Sequence, residues 1–362
     1  MSKKPLILGI ESSCDETAAS LVTENEQGIP IVLSNIVSSQ EDVHKEFGGV
    51  VPELAARSHI EKIDWIVKKA IDKSGKKINE IDAIASTAGP GLIVCLSVGL
   101  SFGKTFALTT NKPFIAVNHL EGHALSPKLN SKLEYPYLLL LISGGHSQFL
   151  SVQALSKYKR LGTTIDDALG EAFDKTAKLL GIDFPGGREI EVLAEKGNPE
   201  KYKLPKPIIN KGGCNLSFAG LKTAVLKISK TIKNDQDKFD LAASFQKTIE
   251  EILYKKTIIA FNEFEKMNNP KEKKFVVAGG VASNKKIRTM LMKLCEEENY
   301  QSIFPPIEFC GDNAAMIAMV GLEKFKLKLF SDLDHPAKPR WPLDEDAAFL
   351  KGAGVQLSLI HI

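Results

Sequence analysis

The sequence predicts an α/β fold with a duplicated core, and two observations support that prediction. Three stretches repeat one plan, in which a β-rich apolar run breaks into a polar turn rich in glycine or serine: residues 6–22, 137–152 and 274–288. In the first two, a second apolar run follows at once, which is typical of a hairpin. Elsewhere strand and helix signals alternate, as they do in α/β proteins. Because two of the three stretches open alike, we expect one core plan to occur twice.

The glycines in these turns also bear on function. Glycine has no Cβ and tolerates positive φ, so backbone N–H groups at such a turn can approach a phosphate closely. Any one of the turns could equally be an ordinary hairpin turn. Three such turns in one chain favour a fold that closes around a bound nucleotide.

Length and composition are those of a soluble globular protein. The 362 residues are enough for two domains or one large duplicated domain. The net charge of +3 neither favours nor excludes a nucleic-acid partner. The longest apolar run, at residues 138–142, is too short to span a bilayer. The five cysteines form no C-x-x-C pair, so we expect a reduced cytoplasmic protein with mostly buried thiols.

Further elements follow from local pattern. Residues 81–87 predict a strand, followed by a Gly-Pro-Gly turn and a helix that runs to about residue 109. In that helix Gly99 and Gly103 lie four residues apart, which favours close packing in a soluble core, since serines and a lysine interrupt the apolar segment. Residues 114–118 predict another strand, and residues 239–264 and 312–329 predict long amphipathic helices.

The stretch NHLEGH at residues 118–123 contains two histidines, His119 and His123, that would share one helix face and could bind one ion. Zinc proteases place a glutamate directly after the first histidine or directly before the second. Here Glu121 lies midway, roughly 200° around the helix from His119. We therefore expect Glu121 not to be a water-activating base. The pair could also be purely structural.

Asp312, in the stretch CGDNAAMIA, is the candidate third ligand. It follows a Pro-Pro turn and precedes an alanine-rich helix, so it could bind a metal or cap that helix. Two histidines and one carboxylate would leave coordination positions open, which suits iron or zinc acting on a substrate. The sequence leaves both roles open.

Ten sequence blocks carry a resemblance to a known family. They run from residue 9 to about 318 and read GIESSCDET, FGGVVPELAARSH, GPGL, NHLEGH, ISGGHS, DDALGEAFDKTAKLLG, FPGG, LSFAGLKTAV, GGVASN and CGDNAAMIA. The chain closely resembles the universal tRNA threonylcarbamoyladenosine-forming family, bacterial type, formerly described as O-sialoglycoprotein endopeptidases. The resemblance implies an actin-like, sugar-kinase-like ATPase fold of two α/β lobes with a ligand cleft between them. We expect one lobe at residues 1–118 with about 320–362, and the other at 119–319.

The resemblance also implies an activity. The family transfers a threonylcarbamoyl group from threonylcarbamoyl-adenylate to the N6 amine of the adenosine adjacent to the anticodon in ANN-decoding tRNAs, with release of AMP. The implied cofactors are one divalent metal ion per subunit, which we expect to be iron with zinc or magnesium as alternatives, and an adenylate or ATP-type ligand. The implied partners are tRNA, a non-catalytic paralogue of the same fold and a small P-loop ATPase, with no membrane.

The motifs that match the family also imply which residues form the site. The resemblance implies His119, His123 and Asp312 as metal ligands. Glu11 matches an acidic position near the reacting centre, where it could orient the attacking amine or take its proton; it could also be a polar residue at a strand end. The implied substrate-binding residues are Ile142, Ser143, Gly144, Gly145, His146, Asp174, Gly187 and Asn284. Asp174 could accept both ribose hydroxyls, or pair with Lys178 on a helix surface.

Three other functions are alternatives to tRNA modification. A metallopeptidase is disfavoured by the position of Glu121. A small-molecule kinase or ATPase of the same fold would leave the histidine pair unexplained. A non-catalytic paralogue would lose the metal ligands, which this chain retains. Two departures from the family pattern, Ala219 and Gly311, remove hydroxyls that could support the site.

One basic stretch could contact tRNA. Residues 196–211 carry five lysines and one glutamate, with Tyr202 among them. The stretch could also be an ordinary solvated loop. As a hypothesis, Lys201, Lys203 and Lys206 would contact tRNA phosphates.

Overall fold

The computed structural model describes residues 4–129 and 131–348. The part of the predicted first lobe at residues 349–362 lies outside the described residues. In chain order the strands are β1 Ile7–Glu11, β2 Thr17–Glu24, β3 Pro30–Ser38, β4 Ala83–Gly89, β5 Phe114–Asn118, β6 Tyr137–Ile142, β7 Ser147–Ala154, β8 Lys157–Thr163, β9 Lys274–Ala278 and β10 Gln301–Ile303.

The α-helices separate and cover these strands. They are α1 Glu41–His44, α2 Pro52–Ser74, α3 Ile93–Thr110, α4 His119–Leu125, α5 Leu169–Leu179, α6 Gly187–Ala194, α7 Ala219–Ser229, α8 Asp235–Asn268, α9 Lys285–Glu297 and α10 Ala314–Lys326.

The chain forms two compact units. Unit 1 takes its described residues from Met1–Glu134, Leu155–Lys157 and Pro305–Glu345, and unit 2 from Tyr135–Ala154, Tyr158–Phe304 and Asp346–Ile362. The units differ from the predicted lobes at residues 155–157, which fall in unit 1, and at the described residues from 346 on, which fall in unit 2. Two longer segments, 119–134 and 305–319, also fall in unit 1 and not in the predicted second lobe. Both segments join unit 1 because α4 follows β5 directly and α10 packs against β1, β2 and β4.

In unit 1 the five strands lie in the order β3-β2-β1-β4-β5. The β1–β2 and β2–β3 pairs are antiparallel, and the β1–β4 and β4–β5 pairs are parallel. Every residue of β1 is buried, because helices cover both faces of the sheet. Leu8 and Ile10 pack in one core with α2 and α3. Gly9 faces α10 so closely that a Cβ there would lie 2.4 Å from the Ala314 carbonyl oxygen.

Unit 2 repeats this plan. Its sheet order, β10-β9-β6-β7-β8, read from the other end matches that of unit 1, with an antiparallel β6–β7 hairpin and a parallel β6–β9 pair. All six residues of β6 are buried, and Phe261 of α8 packs edge-on against Phe275 of β9 with ring centroids 5.1 Å apart. The predicted class, an α/β fold of the actin-like type with a duplicated core, is confirmed.

Several predicted elements are present with shifted ends. The strand at 81–87 is β4, the strand at 114–118 is β5, and the long helices at 239–264 and 312–329 are α8 and α10. All five cysteines are free and four are buried, as expected.

Within the described residues, α3 alone is long and apolar enough to cross a membrane. Its glycines show where it packs closely. A Cβ at Gly99 would lie 2.2 Å from the Ser12 hydroxyl oxygen, and one at Gly103 would lie 2.9 Å from the Ser86 Cβ. The four-residue spacing of these glycines therefore lets α3 lie directly on the strands of unit 1, as predicted for a core helix.

Candidate functional site

Three chain segments meet at one edge of the unit 1 sheet. Because β1, β4 and β5 are parallel, their carboxyl ends lie at the same edge, where α/β folds commonly bind ligands. Glu11 is the last residue of β1, and Asn118 is the last residue of β5. His119 begins α4 directly after β5, so the histidine pair starts at this edge.

The short helix α4 is fixed at its start and along one side. The Asn118 side-chain oxygen accepts hydrogen bonds from the backbone N–H groups of Leu120 (2.9 Å) and Glu121 (3.4 Å), which is an N-cap. At Gly122 the helix packs so closely on α10 that a Cβ would lie 3.1 Å from side-chain atoms of Met316 and Ile317. All seven residues of α4 are buried.

Asp312 does not cap α10. That position belongs to Asn313, whose side-chain oxygen accepts a hydrogen bond from the Met316 N–H (3.1 Å). The Asp312 carboxylate instead faces the histidines, with Oδ1 3.0 Å from His123 Nε2 and 3.5 Å from His119 Nε2. The structure therefore excludes the helix-cap role for Asp312.

His119, His123 and Asp312 form a cluster with the donor set of a metal centre. One ligand atom from each lies within 4.8 Å of the others, and the two imidazole rings are nearly perpendicular (88°). Two imidazole nitrogens and one carboxylate oxygen fit a divalent transition metal and leave positions for substrate. The fit is better for iron or zinc than for magnesium, which prefers oxygen ligands.

Glu11 supports this cluster from behind. The Nδ1–H of His119 donates to Glu11 Oε2 (3.0 Å), which leaves Nε2 facing Asp312. The same carboxylate accepts hydrogen bonds from the Ser13 backbone N–H (2.5 Å) and the Thr87 hydroxyl (2.6 Å). A carboxylate on the far nitrogen of a ligating histidine fixes the tautomer and the ring orientation. His123 lacks this support: within the described residues its buried Nδ1 has no hydrogen-bond partner.

The electrostatics of the cluster show how its charges compensate. Burial alone would lower the pKa of His119, but the neighbouring carboxylates of Asp312 and Glu11 outweigh burial and hold that pKa well above its usual range. Burial alone would raise the pKa of Asp312, but His119 and His123 outweigh it and hold that pKa well below the usual range. For Glu11 the same opposition between burial and His119 leaves a lowered pKa. The site thus favours ionised carboxylates beside a cationic group.

Glu121 takes no part in the cluster. Its Oε1 accepts hydrogen bonds from the N–H (2.8 Å) and hydroxyl (2.9 Å) of Ser156, and its Oε2 lies 3.1 Å from the Lys324 ammonium nitrogen. These partners engage both carboxylate oxygens. The angular argument from the sequence is therefore matched by the structure, and the metallopeptidase motif lacks its base.

Unit 2 places most of the remaining predicted residues at the corresponding edge of its own sheet. The turn Ser143–His146 joins β6 to β7 and is closed by the Ser143 N–H, which donates to the His146 carbonyl (2.8 Å). The next strand, β9, runs parallel to β6 and ends in a second glycine turn. In that turn Gly279 has φ +96°, and a Cβ there would lie 2.4 Å from the Ile142 carbonyl oxygen. Ile142, Ser143, Gly144, Gly145 and His146 thus lie beside this second turn.

Asn284, Asp174 and Gly187 have structural contacts of their own. Asn284 caps α9 by accepting from the Ile287 N–H (3.0 Å), and its amide donates to Gln246 of α8 (3.0 Å). Asp174 on α5 accepts from the Gly186 N–H (3.0 Å), which fixes the turn that leads into α6 at Gly187. Neither contact tests the predicted roles in substrate binding.

Sequence reasoning missed five supporting residues. Asn118 and Asn313 carry a recognisable signal, since asparagine before a helix is a common N-cap. Thr87 and Gly122 act through partners distant in the chain, as does the Ser13 hydroxyl, whose oxygen lies 3.1 Å from His119 Nδ1. No local pattern marks these three residues.

Comparison with known proteins identifies relatives of the chain. The family model described as TsaD, tRNA N6-adenosine threonylcarbamoyltransferase, matches residues 31–319. The chain is 79% identical over 357 residues to the tRNA N6-adenosine threonylcarbamoyltransferase of Pelagibacter ubique (strain HTCC1062), covering 99% of this chain and 100% of the relative. It is 54% identical over 342 residues to that of Rickettsia canadensis (strain McKiel), covering 94% and 99%.

A solved structure shares the fold at low sequence identity. Full-length HypF in its phosphate- and nucleotide-bound form matches with a TM-score of 0.57 and 13% identity, covering 91% of this chain and 48% of HypF. At this identity the likeness concerns the fold alone. The family match and the near-full-length relatives settle the assignment: the chain belongs to the tRNA N6-adenosine threonylcarbamoyltransferase family, whose members are transferases that modify tRNA.

Proposed function

We propose that the chain transfers a threonylcarbamoyl group from threonylcarbamoyl-adenylate to the N6 amine of the adenosine adjacent to the anticodon in ANN-decoding tRNAs, with release of AMP. The observation that supports it most is the cluster of two buried histidines, His119 and His123, with the partly exposed Asp312, in a chain of this family. These residues would hold one divalent ion, iron or zinc. When bound, the ion would supply Lewis acidity toward the carbamoyl carbonyl or the leaving phosphate.

The side chains of unit 1 have distinct proposed roles. His119, His123 and Asp312 bind the ion, and Glu11 keeps the His119 ring oriented toward it. Because both oxygens of Glu11 already accept hydrogen bonds within the protein, we assign it this positioning role instead of the amine contact that was one of the alternatives left open by the sequence. Glu121 fastens α4 to Ser156 and Lys324.

Unit 2 has the proposed substrate-binding residues. The Ser143 N–H and the His146 N–H donate within the turn at residues 143–146, so the backbone N–H groups of Gly144 and Gly145 are the proposed donors to the adenylate phosphate. Gly144 is exposed, and a Cβ there would meet no atom within 4 Å. Ile142 and His146 flank this turn. We propose Asp174, Gly187 and Asn284 as contacts to the nucleoside and threonyl portions. The proposed setting is cytoplasmic, with a non-catalytic paralogue and a small P-loop ATPase as helpers.

The test is a reconstituted reaction. The protein and these helpers are incubated with threonylcarbamoyl-adenylate and unmodified tRNA, and the nucleosides are then analysed by mass spectrometry. We expect threonylcarbamoyladenosine with the wild type, and a loss of at least about a hundredfold with His119→Ala or Asp312→Ala, since a ligand is removed. The proposal fails if the wild type forms no modified adenosine, or if both variants keep full activity. Phosphorylation of a small-molecule acceptor would instead identify a kinase.

A further inference from the structure

The basic residues of the chain are unevenly distributed. Residues 201–234 contain no aspartate or glutamate, although the whole chain has 47 basic and 44 acidic residues. The segment's eight lysines are Lys201, Lys203, Lys206, Lys211, Lys222, Lys227, Lys230 and Lys233. A segment whose charged side chains are all basic attracts a polyanion, unless acidic side chains from other parts of the fold neutralise it.

The first part of this segment is partly neutralised. Lys201 lies 3.6 Å from an Asp240 carboxylate oxygen and 3.8 Å from one of Asp237, both on α8. Lys206 pairs with Glu251 of the same helix. The stretch at 196–211, which the sequence marked as a candidate tRNA contact, therefore has two of its three proposed lysines engaged by carboxylates.

The lysines on α7, together with Lys230 at its C-cap, differ. Lys222, Lys227 and Lys230, which we call the α7 lysine face, are exposed, and within the described part of the chain none has a carboxylate at salt-bridge distance. At about 100° per residue they fall within roughly 140° of one another around the helix axis. The opposite side, with Leu221 and Val225, is buried. The helix packs on α5 and α8, so its basic side faces solvent.

The start of α7 is tied to the proposed phosphate-binding turn within unit 2. Asp166 Oδ1 accepts hydrogen bonds from the backbone N–H groups of Phe218 (2.7 Å) and Ala219 (3.2 Å), where α7 begins. Four residues after Asp166, the Gly170 N–H donates to the Ser143 carbonyl (3.1 Å). One short segment thus holds both the basic helix and the turn at residues 143–146.

We propose that the α7 lysine face binds the phosphate backbone of tRNA. Lysine ammonium groups spaced along a helix make phosphate contacts that give affinity without reading sequence. Among the described residues these three ammonium groups have no ion-pair partner, and the start of their helix is tied to the turn at residues 143–146. RNA bound there would therefore be held beside unit 2's proposed substrate residues. The inference rests on the proposed function for the identity of the polyanion.

The test measures binding of unmodified tRNA without adenylate or turnover, so it can fail independently of the proposed function. Dissociation constants are measured between about 50 and 200 mM salt, the range over which phosphate contacts show their salt dependence. For K222Q/K227Q/K230Q we expect at least about tenfold weaker binding and a log–log salt slope shallower by about 2 to 3. The charge-preserving K222R/K227R/K230R should bind within about twofold of wild type.

A matched control distinguishes the loss of phosphate contacts at the α7 lysine face from a general loss of positive charge. K266Q/K271Q/K293Q removes three exposed lysines elsewhere in unit 2 and should leave tRNA binding within about twofold of wild type. The inference is overturned if the glutamine variant of the α7 face binds like wild type, if the control loses as much, or if the arginine variant also loses binding. If the triple variant melts early, the three single substitutions, each expected to reduce the slope by about 1, decide the question.

Discussion

The hairpin turns of the two units occupy the same place in the same topology and carry different chemistry. In unit 1 the turn after β1 reads SSCDE, follows Glu11, and lies beside a largely buried cluster of imidazoles and carboxylates. In unit 2 the turn after β6 reads SGGH and offers backbone N–H groups beside a second glycine turn. The duplicated fold supplies an edge where strand ends converge, and the side chains placed there decide what each edge can bind.

The contrast extends to how each edge is held. Unit 1 fixes its reactive groups by side-chain hydrogen bonds, in which Glu11 joins Ser13, Thr87 and His119. Unit 2 packs its two glycine turns backbone against backbone, with Gly279 against Ile142. Substitutions should therefore act through charge and coordination in unit 1 and through backbone geometry in unit 2.

The largest effect on stability is expected at Gly279. Gly279→Ala places a Cβ 2.4 Å from the Ile142 carbonyl oxygen at a residue with φ +96°, so we expect a loss of about 3 kcal/mol or more in the free energy of unfolding. Gly280→Ala, one residue on, meets no atom within 4 Å and should change stability by less than about 1 kcal/mol. Denaturant unfolding measures both. Equal stability of the two variants would contradict the backbone account of unit 2.

The next effect concerns metal affinity in unit 1. Glu11→Gln replaces the carboxylate that accepts from His119 Nδ1, so we expect metal affinity to fall about 10- to 100-fold. The matched control is Glu121→Gln, on the same helix as both histidines but bonded to Ser156 and Lys324. It should leave metal affinity within about twofold, although it lowers stability. A larger loss of affinity in E121Q than in E11Q would refute the assigned roles.

The smallest effect is expected at Gly311, next to Asp312. A Cβ at this position would meet nothing within 4 Å, and its backbone does not have positive φ. Gly311→Ser should therefore change the melting temperature by no more than about 2 °C and metal affinity by no more than about twofold. A large loss of either would show that the missing hydroxyl noted from the sequence marks a real constraint on the site.

Much of this architecture is readable from the sequence because it is local. The strand-to-turn junctions mark β1, β6 and β9, and the His119–His123 spacing shows that one helix can present two ligands. The position of Glu121 is also local, so helix geometry alone excluded it as a base.

The remaining features depend on long-range packing. Thr87 reaches Glu11 across 76 positions of sequence, and His119 reaches it across 108. Such long-range contacts leave no periodic pattern in the sequence. From the sequence, Glu11 could therefore be a catalytic group or a simple turn residue. Asp312 faces the histidines, and Asn313 caps α10. The stretch CGDNAAMIA by itself does not show which of these two neighbours faces the histidines.

The central claim is that unit 1 holds one divalent metal ion between His119, His123 and Asp312. The most direct test is titration of metal-stripped protein with Fe²⁺ under anaerobic conditions and with Zn²⁺, followed by calorimetry and metal analysis. For the wild type we predict one ion per chain and a rise in melting temperature with metal concentration. His123→Ala and Asp312→Ala should lose both. Wild-type stoichiometry and affinity in either variant, or no binding by the wild type, would contradict the account.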